Sequence, residues 1–169
     1  TPHLLATADG ALWVQWLQAN ATSPSAYDVA LARSRDGGMT WNQITRVNDD
    51  QTASEHGFAA MWPRGANAIG IAWLDGREQH VTPHGEQKDA AHHGSGAMQL
   101  RANGFDMDLE RGADAVVDAR ACDCCQTDVA ITDRGPLLAW RDRSEDEVRD
   151  ILVARAQDDL ACILYTSGT

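Results

Sequence analysis

Residues 34–41 read SRDGGMTW. Two glycines follow an aspartate here, between a serine and a Thr-Trp pair, which is the composition of a tight hairpin corner. Asp36 is placed to accept backbone N–H groups across the turn, Gly38 allows positive φ, and Trp41 enters the next strand as a packing anchor. The flanks agree with that reading. YDVALARS (27–34) alternates apolar and polar residues, as a strand with one buried face does, and WNQITRV (41–47) supplies the returning strand.

Moving outward, three stretches look alike: ALWVQWLQ (11–18), AIGIAWLDGR (68–77) and GPLLAWRDRS (135–144). Each is a short apolar run that reaches a tryptophan, at 16, 73 and 140, and then a polar turn. Each is followed by a second alternating run: YDVALARS, GAMQLRA (96–102) and RDILVARA (149–156). GFAAMW (57–62) and QTDVAIT (126–132) precede two of these pairs, and no segment carries a helical stripe. The pattern is an all-β chain with a loose internal repeat. Four-stranded antiparallel units joined by short turns describe β-propeller blades, and a β-sandwich is the alternative that short strands also fit. At about 40–45 residues per blade, the chain holds about three.

SRDGGMTW resembles the Asp-box, Ser-x-Asp-x-Gly-x-Thr-Trp, of sialidases and related propellers, with Ser34, Asp36, Gly38, Thr40 and Trp41 at the five signature positions. EHGFAAMWP, AWLDGRE, GAMQLR, CDCCQT and WRDRSEDEVRDI are similar to a group of bacterial sialidase-like proteins, and together these stretches cover most of residues 1–155. The resemblance implies a sialidase-like propeller whose Asp-box is structural. Such propellers close with more blades than this chain supplies, so residues 1–155 read as a partial propeller whose remaining blades lie elsewhere. Residues 156–169 read as a tail of doubtful origin. Its DDLACILYTSGT resembles the start of the phosphate-binding motif of adenylate-forming enzymes but lacks the further glycines and the lysine, and a loop without its sheet does not position phosphates.

The 169 residues carry 14 Lys and Arg against 25 Asp and Glu, a net charge of −11 that repels nucleic acid and anionic bilayers. No stretch approaches the roughly 20 apolar residues of a membrane span. The bacterial, propeller-like character points to an exported protein whose signal lies outside this sequence.

Strand parity sorts the turns. The box lies on one face of the blades. The turns after the Trp runs, with Asp75, Arg77, Arg141 and Arg143, and the blade links, with Glu55, His56, Cys122, Cys124 and Cys125, lie on the other. A sialidase reading assigns Arg77, Arg141 and Arg143 to a glycan carboxylate, backed by Arg101 and Arg149, with Asp75 or Glu55 as acid or base. The Tyr nucleophile with its Glu partner is not matched by Tyr27 or Tyr165, and the Arg-Ile-Pro signature is absent. The charged turn WRDRSEDE also reads as a solvated, self-paired surface.

Two functions follow from this set: glycan recognition or hydrolysis at the arginines, or a non-catalytic propeller that binds metal or a protein partner through CDCC. In the second, Cys122, Cys124, Cys125 and His56 form a four-ligand set for Zn or Cu. A disulfide competes for the same sulfurs. His80, His84, His92 and His93 sit in a long insertion that reads as a loop.

Overall fold

A computed structural model of the chain describes residues 2–20, 23, 26–79, 96–156 and 165–167. It is all-β among these residues, with twelve strands in three four-stranded antiparallel sheets, each ordered as in the sequence. The first sheet holds β1 (His3–Ala6), β2 (Leu12–Ala19), β3 (Tyr27–Ser34) and β4 (Thr45–Arg46). The second holds β5 (His56–Arg64), β6 (Ala68–Asp75), β7 (Gln99–Phe105) and β8 (Ala115–Asp118). The third holds β9 (Asp128–Thr132), β10 (Gly135–Arg141), β11 (Ile151–Arg155) and β12 (Tyr165–Ser167). Three sheets stand where a sandwich has two. No helix among the described residues is long and apolar enough to cross a membrane.

The alternation read from the sequence decides how the sheets stack. In β6, Ile69, Ile71 and Trp73 join Trp13, Val29 and Leu31 of the first sheet in one core, while Ala72 and Leu74 join Leu138, Trp140 and Ala154 of the third in another. The second sheet is thus buried on both faces. Among the described residues the first and third sheets are each packed on one face only, so Val14 and Trp16 on the one and Val153 and Ile151 on the other are left half-buried or exposed. Trp16, Trp73 and Trp140 occupy like places in β2, β6 and β10, yet Trp73 and Trp140 are buried and Trp16 is not. Each points away from the sheet that follows, and for the first sheet no described sheet lies on that side.

Close approach explains Gly70. It pairs with Trp62 across β5 and β6, and a Cβ there would collide with the buried indole of Trp62. Gly70→Ala is expected to cost about 1–3 kcal/mol by overpacking. The loss should show as a lower urea midpoint at unchanged slope; an unchanged midpoint would mean that the ring simply moves aside.

The SRDGGMTW corner closes on itself. Thr40 donates to both oxygens of Asp36 through its N–H (2.8 Å) and Oγ1 (2.6 Å), the Ser34 hydroxyl donates to Asp36 (2.8 Å), and the Gly38 N–H donates to Ser34 Oγ (2.9 Å). Gly37 and Gly38 have φ of 73° and 91°. The expected strand over 41–47 shrinks to Thr45–Arg46, because Trp41 stays with the turn, its indole N–H donating to Gly38 O at 3.1 Å. It is 41% exposed and anchors no core. A second turn of this kind follows β7, where Asp106 accepts from the N–H groups of Asp108 and Glu110 (2.9 Å each) without the motif's residues.

At this end the turns of the first two sheets meet: the Asp9 N–H donates to Ala66 O, and Arg33, buried and stacked 5.0 Å from the Trp13 ring centre, reaches Asp9 and Met107 O. At the opposite end the strand connections carry the charged loops. Of the tail, Tyr165–Ser167 pairs with β11 as the edge of the third sheet. The strands at 3–6 and 115–118 were not expected from periodicity, each being only four residues long.

Candidate functional site

The link from β4 to β5, residues 47–55, crosses between the first and second sheets and brings a run of polar side chains with it. Asn48 is its pivot. Its Oδ1 accepts the Val29 N–H (3.1 Å), while its Nδ2 donates to Asp28 (2.9 Å) and to Asp50 (3.1 Å). Asp28 also accepts from Asn20 (3.2 Å) and lies 3.6 Å from Arg46. Asn20, Asp28, Arg46 and Asn48 line a cleft of about 510 Å³ together with Thr45, Asp49 and Gln51. Tyr27, 38% exposed, directly precedes Asp28.

Behind the cleft the network continues inward. His56, first residue of β5 and 3% exposed, bonds through Nδ1 to the Tyr27 carbonyl oxygen at 2.9 Å. Its Nε2 faces Asp50 at 3.2 Å and Asp75 at 3.7 Å. Nδ1 donates to the carbonyl, and the two carboxylates facing Nε2 favour a second proton there, and with it the imidazolium form of the ring. Burial alone would lower its pKa, but the hydrogen bond to Asp50 and the charges of Asp75 and Asp50 outweigh burial and raise it. Burial likewise pushes Asp50 and Asp75 up. Hydrogen bonds from His56, Thr52 and Asn48 overcome that at Asp50 and hold it well below the usual carboxylate range, and Arg77, His56 and Trp73 lower Asp75.

The oxygens of Asp50, the ring of His56 and the oxygens of Asp75 also lie within 4.8 Å of one another, a spacing that suits a cation. Yet Asp75 is occupied by Arg77 and by the Trp73 indole N–H (2.8 Å), and Asp50 by Asn48 and Thr52. With those lone pairs given to N–H and O–H donors, the cluster fits a proton better than a metal.

The expected acid or base Asp75 is therefore an anchor, fully buried and held bidentately by Arg77 Nε and Nη2 at 2.8 Å each. Glu55 is exposed beside it and bridges to Tyr27 through the backbone. Burial does raise two carboxyls that sequence reading missed: Asp114, beside Arg77 and Arg111, and Asp118, which accepts from the Trp140 indole at 2.6 Å and lies against Asp142.

The three expected clamp arginines stand apart in chemistry. Arg77 is filled by Asp75, with Asp49 and Asp114 at 3.4 Å, and Arg143 is held bidentately by Glu147 (2.9 Å). Arg141 is exposed and reaches Arg149 O (3.4 Å) and Cys125 Sγ (3.8 Å). Of the two reserves, Arg101 bonds Gln99 (2.9 Å), and Arg149 lies 3.6 Å from Glu147. WRDRSEDE thus contains the self-paired turn that its charge pattern suggests.

The Cys-rich link departs from the expected four-ligand metal set. Cys122 and Cys125 form a disulfide and Cys124 is an exposed free thiol, while His56 belongs to the Asp50–Asp75 cluster. Two sulfurs bonded to each other are not thiolate ligands. His80, His84, His92 and His93 lie outside the described residues.

Residues that sequence reading passed over, namely Asp28, Arg46, Asn48, Asp50 and Asp114, make most of the network. One signal was available: Asp28 shares its strand face with Ala30 and Ala32, a place where an unpartnered charge would be costly.

No family model matches the chain, and no curated protein matches it. Among solved structures it is similar to a fucose lectin from Kordia zhangzhouensis, in complex with methyl-fucoside, with a TM-score of 0.54 at 11% identity over 100% of this chain and 99% of that one. The likeness extends over the whole all-β chain and shows a shared fold.

Proposed function

We propose that this protein is a glycan-recognising module that binds in the cleft of Asp28, Arg46, Asp49 and Gln51. The observation that carries the reading is the pre-organised polar wall: Asp28 is held by Asn20, Asn48 and Arg46 before any ligand arrives. Planar Asn, Asp, Gln and Arg groups pair with the vicinal hydroxyls of a sugar ring. The lectin of similar fold was solved with a fucoside, which supports a sugar ligand.

A neutral glycan fits better than an anionic one. The chain carries −11, and Arg77 and Arg143 are already neutralised by internal carboxylates. With Asp75 buried as the partner of Arg77, binding rather than sialidase-type hydrolysis is the activity these residues support. In this reading the three sheets are consecutive blades of a sialidase-like propeller with an Asp-box in the first, and further blades cover the open faces around Trp16 and Ile151. A disulfide between Cys122 and Cys125 fits an exported location.

Calorimetric titration with methyl-fucoside, methyl-galactoside and sialyllactose tests this. The neutral glycosides should bind, and Arg46→Ala and Gln51→Ala should each weaken them by about tenfold, the loss of one or two hydrogen bonds. Turnover of a sialoside by the wild type, or binding unaffected by both substitutions, would refute the assignment.

A further inference from the structure

The Cys122–Cys125 disulfide has a third sulfur beside it. The exposed Cys124 Sγ lies 3.9 Å from the buried Cys122 Sγ, and all three sulfurs lie within 4.8 Å of one another. Two guanidiniums flank the group: Arg141 Nη1 is 3.8 Å from Cys125 Sγ and Arg149 Nη1 is 3.9 Å from Cys122 Sγ.

A purely structural cross-link accounts poorly for this arrangement. The disulfide spans a sequence separation of 3, and a loop so short yields the least entropy by closure. The backbone around it is already pinned, by Ala121 N–H to Met98 O (2.7 Å), Cys122 N–H to Arg141 O (2.8 Å) and Arg143 N–H to Arg120 O (3.0 Å). The disulfide therefore adds little that these bonds do not already supply, and a spare thiol at van der Waals distance needs another reason.

We propose that CDCC is a thiol–disulfide exchange centre. The Cys124 thiolate attacks Cys122 Sγ, forming a Cys122–Cys124 bond, and the Cys122–Cys125 bond breaks with its electron pair leaving on Cys125 as thiolate. One thiolate and one disulfide stand on each side, so no outside oxidant or reductant takes part. Arg141 stabilises the departing Cys125 anion, and Arg149 polarises the sulfur under attack. Cys122 is the fixed, buried member, and the reactive thiol passes between an exposed position and one beside Arg141. From the exposed position Cys124 can exchange with a low-molecular-weight disulfide, the class of partner that an open thiolate takes.

Alkylation mapping tests the exchange in the full chain carrying Cys162→Ser, which leaves the three sulfurs of the centre. Slow treatment with iodoacetamide at about pH 8 without reductant, followed by digestion and mass spectrometry, should find the alkyl mark divided between Cys124 and Cys125. Each marked form should contain the complementary disulfide. Arg141→Ala should lower the share on Cys125 by about threefold or more, since the leaving thiolate loses its counter-charge. A mark confined to Cys124 would overturn the proposal. A second chain, carrying Cys125→Ser together with Cys162→Ser, should lose both remaining thiols to one Cys122–Cys124 disulfide when exposed to the disulfide of 2-mercaptoethanol. A stable mixed disulfide at Cys124, with Cys122 still reduced, would equally overturn it.

Discussion

Trp73→Ala is expected to lower the free energy of unfolding by about 3–5 kcal/mol, and Trp16→Ala by less than half as much. The two tryptophans hold the same place in the repeat, so side-chain chemistry and strand position are matched and only the surroundings differ. Trp73 is 0% exposed, wedged between the first and second sheets beside Ile71 and Met61, with its indole N–H on Asp75 at 2.8 Å. Deleting it opens a cavity among groups that cannot collapse, because both flanking sheets are held by their own ladders. Trp16 looks outward from the first sheet, so truncating it removes area that water already reaches in part. Urea denaturation of both variants checks the comparison. Equal losses would mean that the outer face of the first sheet is covered in solution.

The second large effect concerns the clasp at His56. Asp75→Ala should cost about 3–5 kcal/mol, because it leaves the imidazolium and Arg77 without a shared, buried counter-charge. Stability should also pass through a maximum with pH. His56 binds its proton more tightly in the folded state, so its contribution is whole below its unfolded value of 6.5 and is lost as the pH rises through the higher folded value. Asp50 and Asp75 are shifted the other way. Their contribution is whole above their unfolded value of 3.8 and is lost as the pH falls through the lower folded values. The clasp is therefore strongest between these limits, with the Arg77 guanidinium beside it remaining charged in support. Unfolding free energies from about pH 4 to pH 9 should fall on the alkaline side in the wild type, and His56→Gln should remove that slope. A flat wild-type profile across neutrality would show that the ring is not an imidazolium.

The strands and the corner at 34–41 were legible because their signals are local. Alternation over eight residues reports which face a strand buries, and a Ser-Arg-Asp-Gly-Gly corner carries its own hydrogen-bond partners within five residues. Even so, Trp41 was misplaced, since a turn that holds its own aromatic cannot lend it to the next strand. The charged groups were read as functional from their clustering in sequence, and here locality failed. Arg77 answers to Asp75 two residues away but also to Asp49 and Asp114, and His56 answers to Asp50 and to the carbonyl of Tyr27 in another sheet.

The amino-acid order by itself determined an all-β chain of repeating antiparallel units, with its tryptophans and its hairpin corner in register, since these depend on a period of two and on φ at a glycine. Only the tertiary structure decided that Asp75 is an anchor, that Cys122 joins Cys125 and that the cleft belongs to Asp28 and Arg46. Charge pairing falls steeply with distance and with exposure, and both are set by which segments the stacked sheets bring together.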